Sequence, residues 1–151
     1  MQGEREKSMI RLENITPENW REPLQVKEEQ KGFVSEPYRL LARAYAYREE
    51  NSRAFLVMAE DKPVGMGLYH DCAELDAYDF SQMLIDKRYQ GRGYGREAVR
   101  LVLEEMCREA QFDKVVLCYI EGNEAARRLY ESFGFAETGR DEDEIIMEAR
   151  L

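Results

Sequence analysis

The sequence predicts a mixed α+β domain built on a central sheet, and three observations carry that reading. The apolar runs Ala54–Ala59 and Pro63–Tyr69 are separated only by Glu60-Asp61-Lys62, the spacing of a hairpin. A further strand-like run, about Ala77 to Ile85, follows them. Ala98 to Ala110 and Asn123 to Ser132 then read as helices and bracket the short β-rich run Lys114–Ile120. The full order reads β-α-α-β-β-β-α-β-α-β, without an internal repeat or a second domain.

Each element has its own warrant. Met1 to Ser8 is polar and charged, lacks the apolar segment of a signal peptide, and reads as a disordered lead-in or an expression remnant. The single domain is expected over residues 9–151. Met9 to Asn14 is short and partly alternating, a first strand. Thr16-Pro17-Glu18-Asn19 opens a helix, with Thr16 as cap, Pro17 at the first position, and Trp20, Leu24 and Val26 on its buried side. Pro23 kinks or ends it. Lys27 to Val34 is a polar loop closing on Phe33 and Val34. Ser35-Glu36-Pro37 opens a second helix to about Glu50, with Ser35 as cap and Tyr38, Leu41, Ala42, Tyr45 and Ala46 at helical spacing. The helix from Ala98 presents Ala98, Val99, Val102, Leu103 and Met106 inward. Phe133-Gly134-Phe135 is a turn, and Glu144 to Ala149 the last strand.

Composition narrows the function. The 151 residues are 44% apolar, enough for one real core. A net charge of −9 and a pI near 4.8 argue against nucleic acid as a partner, because phosphate backbones need a basic face. No run approaches the length of a membrane span. Cys72, Cys107 and Cys118 are widely spaced and match neither a disulfide framework nor a metal site, so no metal is expected and a cytoplasmic location is the simple reading.

Against that acidic background one stretch is basic. Within residues 87–100, Lys87, Arg88, Arg92, Arg96 and Arg100 face a single acid, Glu97. Gly91, Gly93 and Gly95 let the backbone approach a ligand, and the helix that follows adds its positive dipole end, so the turn is suited to an anion. The triphosphatase pattern G-x-x-x-x-G-K-[ST] is absent, and the dinucleotide pattern fails because Gly95 comes one residue early.

Gln90-Gly91-Arg92-Gly93-Tyr94-Gly95 does fit Q/R-x-x-G-x-G/A, and the stretch Asn123–Phe135 fits N-x-x-A-x-x-x-Y-x-x-x-G-F. With these two signatures in order across residues 83–135, the sequence resembles the GNAT superfamily of N-acetyltransferases. The resemblance implies the acyl-CoA N-acyltransferase fold, a twisted, mostly antiparallel sheet flanked by helices. It also implies acetyl-CoA as co-substrate, with direct transfer to an amine in a ternary complex. Backbone groups of Leu84 and Ile85 would pair with the pantetheine arm, and a bulge or splay in that strand would aim an N–H at the developing oxyanion. Gln90, Gly91, Arg92, Gly93, Tyr94, Gly95 and Arg96 would cradle the pyrophosphate, and Asn123 would lie on the cofactor side. Tyr130 would be the general acid for the leaving thiolate. Its plainer role is packing with Leu129 and Phe133. Association of two copies, a homodimer, is a habit of that family.

The acceptor side rests on charge. A primary amine is neutral at pH 7 only about once in a thousand, so the site must supply roughly 4 kcal/mol by desolvation or a base. His70, the only histidine, has suitable chemistry, although a surface strand end is its plainer reading and a water-mediated carboxylate is an equal alternative. Asp71, Glu74, Asp76, Asp79 and Asp86 give the segment 63–86 five acids and no Lys or Arg, and residues 137–148 hold six acids against Arg140. If these line the acceptor channel, they favour a cation; Asp71, Glu74, Asp76 and Asp79 are the candidate substrate-binding residues. Residues 21–50 carry six acids and six bases, and add no field. The strings Glu29–Val34 and Phe80–Asp86 resemble the bacterial spermine/spermidine acetyltransferase-like branch, which implies a polyamine acceptor. A protein N-terminus or lysine, an aminoglycoside, and a non-catalytic acyl-CoA-binding module are the competing readings.

Overall fold

The computed structural model describes residues 9–31 and 36–151. Seven strands form one sheet: β1 (Ile10–Asn14), β2 (Arg53–Ala59), β3 (Lys62–Cys72), β4 (Ala77–Ile85), β5 (Lys114–Ile120), β6 (Ala136–Asp141) and β7 (Glu144–Arg150). Their order across the sheet is β1-β2-β3-β4-β5-β7-β6, antiparallel throughout except for β4 beside β5. Three helices accompany it: α1 (Pro37–Ala46), α2 (Tyr94–Glu109) and α3 (Glu124–Glu131). The mixed class, the two-residue hairpin turn between β2 and β3, and the bounds of β4 and β5 match the sequence reading. Among the described residues no helix is long and apolar enough to cross a membrane.

Strand alternation divides the core between the two faces. Phe55 and Val57 of β2 join Ala98, Val99, Val102 and Met106 of α2 on one face. Leu56 and Met58 join Leu24, Val26 and Leu40 on the other. Central strands are therefore covered twice, which is why β2 reads as a continuous apolar run. Three bulges interrupt the alternation, at Val64 of β3, Ser81 of β4 and Thr138 of β6. In β4, Phe80 pairs with Tyr69 and Gln82 with Leu68, so Ser81 is the extra residue. The bulge turns the strand over: Tyr78 and Phe80 pack toward α2, whereas Leu84 packs on the opposite side.

Four expectations need correction. The helix from Thr16 is a single turn: Asn19 and Trp20 donate their N–H groups to the Thr16 carbonyl, and Asn19 Oδ1 accepts from Thr16 N at 2.7 Å. The cap chemistry is present, but Pro23 leaves no room for the helix to propagate. Leu24 and Val26 are buried as expected, while Trp20 is exposed and sits beside the Arg21 guanidinium. The second helix stops at Ala46, with a separate 3₁₀ turn at Arg48–Glu50. Its buried face is Pro37 and Leu40; Tyr38, Ala42, Tyr45 and Ala46 point outward. The fourth correction is β6, a strand absent from the sequence reading. It is a polar edge strand that shows no buried alternation. The expectations for Met1–Ser8, for Phe33 and Val34, and for Ser35 as a cap lie outside the described residues.

Candidate active site

The site begins where the sheet comes apart. β4 and β5 pair only at Tyr78–Val115 and Asp79–Val116. From Phe80 onward the strands diverge, and the bulge at Ser81 marks the point. The edge of β4 turned away from β3 then has no strand partner, and two cavities occupy the wedge. One, of about 290 Å³, runs over Leu84, Ile85 and the glycine loop. The other, of about 280 Å³, runs between β4, β5 and β7. Met83, Asn123, Ala126 and Tyr130 line both, so the two meet at those residues.

The loop cavity suits an anion through its backbone. Gly91 and Gly93 have φ of 77° and 81°, the left-handed region that glycine enters without strain. Gly93 is the N-cap of α2, and Glu97 N is the first to bond back to its carbonyl, at 3.1 Å. The N–H groups of Tyr94, Gly95 and Arg96 are thus left to an external acceptor. A Cβ at Gly91 or Gly93 would meet nothing within 4 Å, so the backbone there is open to a ligand. The residues present fit a pyrophosphate group.

The side chains of this loop act differently from expectation. Gln90 donates to Ile85 O at 3.0 Å and to Gln30 Oε1 at 2.8 Å, so its amide closes the loop while the residue lines the cavity. Arg88 is held by Asp86 at 2.9 Å, and Arg100 is held by Glu97 and Glu104. The basic cluster is therefore weaker than its count suggests. Arg92 and Arg96 have no carboxylate partner among the described residues, and lie over the rings of Tyr89 and Phe133. Asn123 Oδ1 caps α3 by accepting from Ala126 N at 3.2 Å, which leaves its amide donors for the cavity.

The second cavity corrects the acceptor side. Of the four candidate acids only Asp79 lines it. Asp71 accepts from Asn51 Nδ2 at 2.7 Å, and Glu74 and Asp76 lie in the connection beyond the far end of β4. The register explains this: Asp71 is the partner of Tyr78, and Asp76 lies in the turn beyond it, both before the splay. Asp86 is fully buried at the opposite end of β4. His70 is buried as well and reaches the cavity only behind Asp79, so it is neither a surface residue nor a group in direct reach of a substrate.

Sequence reasoning missed Arg43, Gln82 and Cys118, which line this cavity together with Glu144, one of the six acids counted over residues 137–148. Arg43 sits in the helix whose charges balance, and only the turn of α1 shows that it points into the wedge. The field remains negative despite it. The Cys118 thiol is pushed up to about 11, by burial first and then by Glu144, Asp79 and Asp141, with Arg43 opposing. A thiol so protonated is a poor nucleophile. Burial likewise raises Asp79 above the usual carboxylate range, while His70 and Arg43 pull it back.

Tyr130 projects from α3 between the two cavities. Its ring makes edge contacts with Phe80 and Phe135, at centroid distances of 6.3 and 5.7 Å. Burial pushes the phenol up to about 12, so it keeps its proton at neutral pH.

Comparison with known proteins follows the same lines. A spermine/spermidine N(1)-acetyltransferase of Bacillus subtilis (strain 168) is 33% identical over 58 residues, 38% of this chain and 38% of the relative. The match thus spans little more than a third of either protein. A solved structure of spermidine N-acetyltransferase from Vibrio cholerae, in complex with CoA and spermine, superposes with a TM-score of 0.74 at 20% identity, covering 95% of this chain and 96% of that one. A ribosomal L7/L12 alpha-N-protein acetyltransferase in complex with coenzyme A superposes with a TM-score of 0.77 at 11% identity, covering 95% of each chain. At those identities the superpositions establish a shared fold. The model of the acetyltransferase (GNAT) family matches residues 11–135, and this chain belongs to that family.

Proposed function

We propose that the protein is an acetyl-CoA-dependent N-acetyltransferase that transfers the acetyl group directly to a primary amine of a polyamine such as spermine or spermidine. The observation that carries the reading is the meeting of the two cavities at Tyr130 and Asn123, one cavity walled by the glycine loop and the other by Asp79 and Glu144. Donor and acceptor can then share one wedge, with no covalent enzyme intermediate. When bound, acetyl-CoA supplies the thioester. The chain's residues hold it: N–H groups of the Gly91–Arg96 loop take the pyrophosphate, and the open edge of β4 at Leu84 and Ile85 takes the arm. The bulge at Ser81 re-aims the strand where a carbonyl oxygen would need a donor. The amine nitrogen forms the new C–N bond as the C–S bond breaks. Its surplus proton goes to the Asp79 side of the wedge, and Tyr130 donates a hydrogen bond to the departing thiolate.

The negative field at Cys118, set by Glu144, Asp79 and Asp141, supports a cationic acceptor. The polyamine reading draws its further support from the names of the Bacillus relative and the Vibrio structure. One observation favours a second acceptor, the N-terminal amine of a protein. Arg43 lines the same cavity and its Nε is buried without a partner among the described residues, which suits a peptide carbonyl or carboxylate better than a second ammonium. A thiol-release assay with acetyl-CoA against spermine, spermidine, peptides with free N-termini and aminoglycosides separates these readings. Turnover fastest with spermine or spermidine is expected. Preference for a peptide moves the assignment to the second acceptor. Tight CoA binding with no turnover on any amine makes the protein a binding module and ends the enzyme reading.

A further inference from the structure

His70 and Asp79 face each other across β3 and β4, in register as partners. The imidazole is 2% exposed, and its two nitrogens have very different surroundings. Nδ1 lies 2.9 Å from the carbonyl oxygen of Asp71, which can only accept, so Nδ1 carries a proton. In the neutral ring Nε2 is then a bare acceptor. It is buried, has no hydrogen-bond partner among the described residues, and points toward Asp79 Oδ2 at 3.8 Å. A carboxylate is also an acceptor. Two acceptors that close, one of them buried and unsatisfied, leave a place that one proton fills.

The ring cannot turn away from this arrangement. Tyr47 stacks on it at a centroid distance of 4.1 Å and 13° between planes, and the Arg43 guanidinium lies 4.7 Å from the Tyr47 ring centroid. Asp79 is the member of the pair that reaches the cavity, where Arg43 from α1, Cys118 and Tyr119 from β5 and Glu144 from β7 face it. Arg43 opposes proton uptake there, and the negative charge of Glu144 across the cavity favours it.

We propose that Asp79 and His70 form one single-proton base for the acceptor amine: Asp79 is the catalytic carboxylate, and His70 is the positioning residue that stores the proton behind it. This deepens the acetyltransfer reading and rests on it for the identity of the amine. In the step, an N–H bond of the ammonium breaks and its electron pair stays on nitrogen. The proton passes through Asp79 to His70 Nε2, and the pair changes from a charge of −1 to neutral. It returns the proton to water through the cavity after the product leaves.

The dyad is testable without turnover because the chain has only one histidine. Long-range ¹H–¹⁵N spectra of the uniformly labelled protein between pH 5 and 9 report both ring nitrogens. Expected for the neutral ring is the Nδ1–H tautomer with a bare Nε2, as the Asp71 carbonyl beside Nδ1 requires. An Nε2–H neutral tautomer overturns the dyad even if the protein acetylates amines well. With the best amine found, Asp79→Asn is expected to lower kcat ~100-fold with the KM for acetyl-CoA unchanged. His70→Phe, which keeps the stack on Tyr47, is expected to displace the acid limb of kcat/KM; an acid limb identical to wild type also overturns the proposal. Absence of turnover in every variant, with the tautomer as expected, leaves the dyad standing and sinks the acetyltransfer reading instead.

Discussion

Asp86 is fully buried, yet its carboxylate has four donors: the N–H groups of Gln25 and Arg88, each at 2.9 Å, and Arg88 Nε and Nη2 at 2.9 and 3.3 Å. It ties the loop before α1 to the turn that launches the glycine loop. Lys87 N adds a bond to Gln25 O at 2.8 Å, so the two chain segments are held on both sides of the carboxylate.

That arrangement predicts a structural acid. Burial alone would raise Asp86, but the hydrogen bonds from Arg88 and from the backbone outweigh it and hold the carboxyl below the usual range. A depressed carboxylate contributes stability above the unfolded value, near 3.9, and loses it as pH falls through the lower folded value. Asp86→Asn is expected to cost about 2 kcal/mol at pH 7, since an amide cannot accept from all four donors. Denaturant melts of the two proteins should run parallel above about pH 4 and converge below it. A gap that persists unchanged to pH 2 would contradict the assignment.

Gly93 predicts a separation of binding from chemistry. Its φ of 81° is costly for alanine, by about 1–2 kcal/mol, although a Cβ there touches nothing. Gly93→Ala should therefore lower stability by about 1 kcal/mol and raise the KM for acetyl-CoA roughly tenfold, with kcat changed less than about threefold. Gly95→Ala is the control. Gly95 lies inside α2, and its Cβ would make ordinary contacts, 3.6 Å from Ile85 Cγ1 and 3.9 Å from Met83 Cε. It should bind acetyl-CoA like the wild type, which also accounts for a motif that accepts either glycine or alanine there.

The difference between these two glycines shows what the sequence could and could not reveal. Local signals survived folding: the glycine loop, the turn between β2 and β3, and the apolar stripe of α2 are all set within a few residues. The misread parts depend on distant partners. β6 has no apolar alternation because its edge position leaves it solvated, and its pairing with β7 supplies the order. Trp20 looked like core because it is large and apolar, but a one-turn segment stopped by Pro23 has no face to bury it on. The acids of residues 71–76 were counted with Asp79 because they share a stretch of chain. Asp71 is instead held by Asn51, and Glu74 and Asp76 lie in the turn before β4, so none of them reaches the splay, which begins only at Phe80. Arg43 and Glu144 lie about a hundred residues apart, and no spacing rule could have joined them.

Tyr130 supplies the last prediction, and its proton affinity decides the form of the role. With the phenol at about 12 and an ordinary thiol near 8.5, complete proton transfer to the leaving thiolate would be uphill by roughly 5 kcal/mol. Donation of a hydrogen bond carries no such cost and still lowers the barrier as sulfur charge develops. Tyr130→Phe keeps the edge contacts with Phe80 and Phe135, so its fold and its KM for acetyl-CoA should be unchanged. Its kcat should fall by about a hundredfold, within the range for one acid–base group. A phenol this weakly acidic also imposes no alkaline limb on the wild-type rate below about pH 11, so the ratio of wild-type to variant kcat should be flat from pH 8 to 10. A ratio that collapses as pH rises through that window would mean that the tyrosine ionises there and serves as a true proton donor, with a cavity far more polar than its packing against two phenylalanines implies.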